Sequence, residues 1–418
     1  MLLKASLLEA HLSISLSPIH YCNQHATLAM VTFFQFHVKH CHIPMTECQQ
    51  IATSERIFPS KSTITKTICH YYKFFIVTLR HLCGSCYPFR NPTGAQPCAT
   101  LTSKATEIQK KTLYRKNMAL IFDIKRFAIN DGPGIRTTIF MKGCPLRCVW
   151  CHNPEGISPK AVKLYTKKKC IGCQTCVEAC PEHNLTLTSD GIKDMGHCVS
   201  CGRCTDECPT LALEMAGKEW DTDKLMEIVE KERQVMEESG GGVTLCGGEP
   251  LYDTDHLCRL LDALGKRGIH RTVDTTLFAS AANVKRVAER CELFLIDLKM
   301  MDAAKHKKYT GVDNHVILDN IKTVSSMGHK FWIRIPLIVG VNADDDNLTA
   351  SARFLASLPT KPEVVNLLVY HDIGKGKHAR LGSEYNPQGV AMEAPDEEMQ
   401  QHALEIMKSV GLNAKIGG

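Results

Sequence analysis

No run of about eighteen apolar residues occurs in the chain, so no membrane-spanning helix and no membrane partner is expected. Aspartate is absent from residues 1–117, and glycine nearly so, with 2 of the chain's 28. That segment carries 13 Lys and Arg against 4 Glu, a net of +9. Residues 118–418 carry 37 basic and 40 acidic residues, a net of −3, so the overall +6 averages two unlike parts. The mildly acidic second part gives a nucleic-acid-binding protein little support. No N-terminal segment reads as a basic, apolar, cleavable signal peptide. A hydrophobic share of 44% and a charged share of 22% are ordinary globular values and exclude a disordered tail, a collagen-like fibre and a coiled coil.

Cysteine is in excess, at 21 residues. In a short secreted domain this would mean disulfides. Here the chain is long and the total is odd, which suits complete pairing poorly. Metal ligation in a reducing cytoplasmic compartment is the expectation. Within residues 1–117 only Cys83-Gly84-Ser85-Cys86 has ligand spacing, and it stands alone. The character changes at Met118, where Met118-Ala119-Leu120-Ile121-Phe122 reads as a first strand. We expect Met118 to be the biological start and residues 1–117 to be a non-native or disordered extension.

Beyond Met118, strands and helices alternate. Strands are expected at 137–141, 243–245, 270–275, 293–298, 331–337 and 364–369. Helices are expected at 221–238, 257–264, 281–290, 317–327, 348–358 and 396–410, the first capped by Asp221 or Thr222 and ended by Gly240-Gly241-Gly242. Such alternation implies an α/β fold with a parallel sheet and right-handed crossovers. Six units make a curved sheet or an incomplete (β/α)6 barrel, whose chemistry gathers at the C-terminal strand ends. Residues 163–216 interrupt it with a cysteine-dense insert; 118–162 begin the core and 217–418 complete it.

Two runs in the insert, Cys170-x2-Cys173-x2-Cys176-x3-Cys180-Pro181 and Cys198-x2-Cys201-x2-Cys204-x3-Cys208-Pro209, match the bacterial ferredoxin pattern in spacing and closing proline. Thiolates suit iron–sulfur clusters, and short Cys-x2-Cys loops turn backbone NH groups toward the sulfurs. Crossed ligation would place Cys170, Cys173, Cys176 and Cys208 on one [4Fe–4S] cluster and Cys198, Cys201, Cys204 and Cys180 on another. Zinc knuckles are the alternative, but they leave each third cysteine and its proline unexplained. A third constellation, Cys144-x3-Cys148-x2-Cys151, follows the 137–141 strand and has three cysteines with no obvious fourth. On a [4Fe–4S] cluster this leaves one iron open, which catalysis needs and electron storage does not. An incomplete zinc site is the bland reading.

The flanks of that triplet are Asp131-Gly132-Pro133-Gly134-Ile135-Arg136-Thr137 and Trp150-Cys151-His152-Asn153-Pro154-Glu155. With them, the chain resembles the glycyl-radical enzyme activating enzymes, a branch of the radical S-adenosylmethionine (SAM) superfamily, over roughly residues 118–418. The two-cluster insert resembles that of the larger activating enzymes. The resemblance implies three [4Fe–4S] clusters and SAM, with Trp150 and His152 beside the catalytic cluster. It implies that Gly247-Gly248-Glu249 binds the SAM amino group, although a plain strand-to-helix turn is the bland alternative. Asp274 matches the family, but Leu277 stands where the family often has glycine. Asp297-Leu298-Lys299 matches a motif used at the SAM site, with a surface salt bridge as the alternative. Arg334 is expected to meet the SAM carboxylate, with a structural arginine as the alternative, and the resemblance implies that His371 contacts the adenosyl group. Cys246 is expected to be a small buried side chain.

The implied activity is that of an oxidoreductase. SAM is cleaved reductively to methionine and a 5′-deoxyadenosyl radical, which takes hydrogen from a glycine Cα on a partner glycyl-radical enzyme. Lys299 and the three cysteines are the expected catalytic residues. A flavodoxin or ferredoxin-type protein is the expected electron donor, in an anaerobic cytoplasm. A radical SAM enzyme acting on a small molecule and an iron–sulfur electron-transfer protein are the rivals.

Overall fold

The computed structural model describes residues 118–418, all within the unit Cys98–Gly418. The expectations for residues 1–117, with the Cys83 and Cys86 pair, lie outside the described residues. Strand β1 (Met118–Ala128) runs antiparallel to β2 (Arg136–Met141), and the Asp131-Gly132-Pro133-Gly134 segment turns between them. The chain then leaves the core through β3 (Val162–Tyr165), the one-turn helix α1 (Thr175–Glu178) and the hairpin β4 (Leu185–Thr188) and β5 (Gly191–Asp194). It returns through the one-turn helix α2 (Arg203–Asp206) and β6 (Leu213–Ala216), which pairs antiparallel with β3. The excursion spans almost the residues expected of the insert. Each half repeats one device: a left-handed residue, Gln174 at φ 62° or Gly202 at φ 83°, starts a single helical turn carrying the third cysteine of its run. Cys176, Cys204, Leu185 and Leu213 form its small apolar core.

Strand β7 (Lys218–Asp221) rejoins the core beside β1. The helix expected over 221–238 is two, α3 (Thr222–Glu230) and α4 (Arg233–Ser239). Asp221 caps the first, accepting from Asp223 N at 2.9 Å and Lys224 N at 3.4 Å. The ladder breaks at Glu232, whose buried carboxylate is drawn to Arg126 of β1. Then follow β8 (Gly242–Gly247), α5 (Thr254–Gly265), β9 (Arg271–Thr275), α6 (Ala281–Ala288) and β10 (Leu293–Asp297). After them come α7 (Ala303–Thr310), α8 (His315–Ser326), β11 (Phe331–Leu337), α9 (Asp345–Ala356) and β12 (Val364–Val369). The chain ends with α10 (Gly374–Leu381), α11 (Glu397–Ser409) and β13 (Ala414–Ile416).

The sheet order is β13-β12-β11-β10-β9-β8-β2-β1-β7. Strands β2 and β8 to β13 pair in parallel; β1 and β7 close one edge antiparallel. The six expected strands are present, and β13 adds a seventh to the parallel set. Side-chain alternation gives the sheet two faces. One face, with Ile139, Val243, Leu245, Val273, Ile296, Ile333 and Leu367, packs in the main apolar core. The alternate positions carry Arg136, Thr138, Thr244, Thr272, Asp274, Asp297 and Arg334, so the opposite face is polar. Parallel strands buried on both sides are usually apolar throughout. A polar inner face therefore marks where the chemistry sits. Among the described residues no helix is long and apolar enough to cross a membrane.

Candidate active site

The triplet loop leaves the C-terminal end of β2 and closes on itself. Gly143 N donates to Gly156 O at 2.8 Å and Cys144 N to Ile157 O at 3.0 Å. Helix α7 holds its middle: Arg147 N donates to Thr310 O at 2.7 Å and Val149 N to Tyr309 O at 3.0 Å. Cys151 N donates to Cys148 O at 3.0 Å, turning the last two cysteines together. Burial pushes the thiols of Cys144 and Cys148 up to about 12 and that of Cys151 up to about 11. Lys299 is the common cation that works against this at all three. Trp150 is 5% exposed and packs with Val149, Met300, Ile338 and Val341, so its indole anchors the loop. His152 stacks on His371, with centroids 4.2 Å apart and planes 16° from parallel, and its Nε2 lies 3.0 Å from His371 O. Burial, with the neighbouring His371, holds His152 down to about 4.

Gly247-Gly248-Glu249 lies against this loop. Gly248 N donates to Met141 O at 2.9 Å and Glu249 N to Gly143 O at 2.7 Å. Gly247 has φ +124°, and a Cβ there would meet Met141 N at 2.3 Å. The two glycines thus admit the backbone of the triplet loop. Glu249 is 1% exposed, and four donors reach its carboxylate: Leu251 N at 3.1 Å, Thr276 N at 2.8 Å, and the hydroxyls of Thr275 and Thr276. Burial still keeps its carboxyl above the usual range. This glutamate joins the glycine turn to the end of β9, a duty the motif alone does not reveal.

Asp274, Asp297 and Arg334 lie on adjacent strands, with Asp297 opposite Arg334 in register. Arg334 Nη1 donates to Asp274 Oδ2 at 2.7 Å, and Lys299 Nζ to Asp297 Oδ2 at 2.9 Å. The side chains are 11–26% exposed, so this is not a surface salt bridge. Burial raises the Asp274 carboxyl while Arg334 pulls it back. At Asp297 burial is outweighed by Lys299 and Arg334, and the group stays below the usual carboxylate range. Burial would lower Lys299, but Asp297 and Cys148 outweigh it and hold the ammonium firmly charged. Leu298 turns into the apolar core, and only its backbone remains at the site, donating to Arg334 O at 3.0 Å.

Several positioning residues escaped the sequence reading. Arg136 is 1% exposed; it donates to Thr244 Oγ1 at 2.7 Å, Val243 O at 2.8 Å and Pro133 O at 2.9 Å, clamping the first motif onto β8. Asn342, fully buried, donates to Lys299 O at 2.8 Å and Pro336 O at 2.6 Å, fixing the strand ends. Cys246 is a buried side chain, as expected, on the polar face near Asp274 and Arg334.

The eight insert cysteines divide between two cavities. Cys170, Cys173, Cys176 and Cys208 line one. Cys180, Cys198, Cys201 and Cys204 line the other. Backbone NH groups point at sulfurs: Asn184 N at Cys180 Sγ, 3.3 Å, Ser200 N at Cys198 Sγ, 3.4 Å, and Leu213 N at Cys208 Sγ, 3.5 Å. Among the described residues no three Cys, His, Asp or Glu side chains group tightly enough to hold one metal ion.

Residues 138–351 match the family model described as the radical SAM superfamily. The chain is also similar to the trans-4-hydroxy-L-proline dehydratase activating enzyme of Clostridioides difficile, at 42% identity over 301 residues, covering 72% of this chain and 99% of that protein. The chain belongs to the glycyl-radical enzyme activating enzymes of the radical SAM superfamily. It is similar, too, to the choline trimethylamine-lyase activating enzyme of Oleidesulfovibrio alaskensis, at 39% identity over 65% of this chain and 89% of that protein. The benzylsuccinate synthase activating enzyme of Thauera aromatica matches at 39% identity over 72% of this chain and 92% of that protein. The activity of this activating enzyme is reductive cleavage of SAM to methionine and a 5′-deoxyadenosyl radical, which removes hydrogen from a glycine Cα of its partner.

Proposed function

We propose that Cys144, Cys148 and Cys151 hold a [4Fe–4S] cluster with one iron open to the amino and carboxylate groups of SAM. The observation that carries this is the meeting of three half-buried thiols with Lys299 and Asp297, which belong with Asp274 and Arg334 to one charged set at the strand ends. Burial raises all three thiols and Lys299 opposes this at each, and iron centres would add further positive charge there. Held by these three cysteines, the cluster would supply the single electron that the cleavage consumes.

The chain's own residues bind and orient SAM. Lys299 and Arg334 face its carboxylate; Asp297 and Asp274 face its cationic and hydroxyl groups. Both charge signs are already paired, Lys299 with Asp297 at the end of β10 and Arg334 with Asp274 across the strands, so SAM enters a preorganised polar site. The Gly247-Gly248 turn offers backbone to the amino end, with Glu249 fixing that turn. His371, braced by His152, borders the adenosyl end. The target glycine has no side chain to block approach, and flanking amides stabilise its radical. A partner glycyl-radical enzyme would thus present a glycine loop to this face.

The insert would hold two further [4Fe–4S] clusters with crossed ligation, one on Cys170, Cys173, Cys176 and Cys208 and one on Cys198, Cys201, Cys204 and Cys180. The division of these cysteines between two cavities supports this reading. A flavodoxin or ferredoxin-type protein would donate the electron. The test is anaerobic quantification of iron, sulfide and 5′-deoxyadenosine after dithionite and SAM are added. About twelve irons per chain, four per cluster, and cleavage abolished by Cys148→Ala are expected. Zinc in place of iron, or full clusters without cleavage, would overturn the reading.

A further inference from the structure

The insert meets the core at two places that differ in kind. On one side the chain itself crosses: Ala161 leads out and Gly217 leads back beside it, so close that a Cβ on Gly217 would meet Ala161 Cα at 3.0 Å. Ser200 Oγ donates to Ala161 O at 2.9 Å there. Without α10, this two-chain crossing and the approach of β6 to β1 would be the hinge of the β3–β6 ribbon. On the other side stands α10, eight residues long and poor in apolar pattern. Its first residue, Gly374, packs so closely on the triplet loop that a Cβ would meet Cys151 O at 2.5 Å. One turn on, Lys377 Nζ reaches Asn153 Oδ1 at 2.7 Å and Glu155 Oε1 at 2.7 Å, both just past Cys151. Three residues further, Arg380 Nη2 donates to Glu214 Oε2 of β6 at 2.5 Å. Positions 374, 377 and 380 recur at a helical spacing, so one face of α10 spans from the cysteine loop to the insert.

We propose that α10 is a strut, and that Lys377 and Arg380 are positioning residues that hold the insert in register with the Cys144–Cys151 loop for electron delivery. This rests on the reading that the insert carries redox clusters. Arg380 and Glu214 are 34% and 39% exposed, so an exposed pair of this kind adds little to stability. Its consequence is geometric: it fixes an angle that the hinge leaves open. Glu155 is the buried end of the device, its side chain 8% exposed, with Lys142 Nζ donating to its carbonyl from the end of β2.

The test uses the full iron-loaded chain with Arg380→Ala, Arg380→Lys and Glu214→Gln. Low-temperature EPR power saturation of the reduced protein with SAM reads the magnetic coupling between the catalytic and insert clusters. Arg380→Ala is expected to weaken that coupling and to lower kcat for SAM cleavage about tenfold, with KM for SAM unchanged. Arg380→Lys should restore most of both. Hydrogen exchange is the readout independent of activity: amides of residues 162–216 should exchange faster in Arg380→Ala while residues 136–151 keep their protection. Unchanged coupling and exchange would overturn the strut, as would a loss of insert iron in Arg380→Ala. If the unaltered protein binds only about four irons, the cluster reading of the insert fails instead. The exchange arm still decides the strut in that case.

Discussion

Alanine at Gly248 places a methyl group where the fold has no room. Its Cβ would stand 2.3 Å from Gly143 O and 2.6 Å from Gly156 O. Non-bonded contacts relax at about 3.5–4.0 Å, so the two segments must part by about 1 Å or more. Two bonds join them, from Gly248 N to Met141 O at 2.9 Å and from Glu249 N to Gly143 O at 2.7 Å. Losing both costs about 2 kcal/mol and overpacking adds about 1–3 kcal/mol, a total of about 3–5 kcal/mol. Gly143 directly precedes Cys144, so the cysteine loop is displaced as well. At Gly376 nothing lies within 4 Å. Alanine there should leave stability unchanged or raise it by about 0.5–1 kcal/mol. Urea unfolding and iron content of Gly248→Ala, Gly376→Ala and the unaltered protein make the comparison. Equal unfolding midpoints and full iron in Gly248→Ala would refute the steric argument.

Crossed ligation predicts how iron is lost in paired variants. Cys170→Ser with Cys208→Ser should leave about eight irons per chain, and Cys201→Ser with Cys208→Ser about four; the reverse order would show uncrossed runs. Arg334→Met leaves Asp274 buried without its partner, a loss of about 3–5 kcal/mol unless the carboxyl takes a proton. Its carboxyl should therefore titrate higher than in the unaltered protein, and KM for SAM should rise; an unchanged KM and melting temperature would count against Arg334 at the site. His152, held near 4, lies below its unfolded value of 6.5. The unfolded chain binds more protons between the two, so stability should climb as pH rises from about 4 to 6.5 and then level off. That slope should shrink in His152→Gln, measured by thermal unfolding across the range.

The motifs were legible because each sits just beyond a strand, and strands are legible from short apolar runs. What stayed hidden depends on contacts between distant segments. Helix α7, with the sequence Ala-Ala-Lys-His-Lys-Lys-Tyr-Thr, has no apolar face to announce it, yet its last carbonyls carry the cysteine loop. Helix α10 is equally mute, being half Gly and Lys. The helix over 221–238 read as continuous because its apolar period is continuous; the structure breaks it at Glu232, which pairs with Arg126, more than a hundred residues away.

Leu277 shows the opposite case, a departure from a family pattern that the fold absorbs. It has φ +58°, a left-handed conformation that suits the glycine often found at this place in the family. For leucine that conformation costs about 1–2 kcal/mol. Leu277 is also 0% exposed and lies in the main apolar core, where burying the side chain contributes about 1.5–3 kcal/mol. The two terms are of similar size, so packing can hold a turn that local preference would forbid. Thr275 Oγ1 accepts from Leu277 N at 2.8 Å, and Asn320 Nδ2 donates to Leu277 O at 2.9 Å, fixing the same turn from both sides. The reason to keep it lies elsewhere: this turn brings the hydroxyls of Thr275 and Thr276 onto Glu249. In this chain Leu277 holds that turn without a glycine, and Asn320 of the neighbouring helix α8 adds a constraint by donating to Leu277 O and Ala279 O.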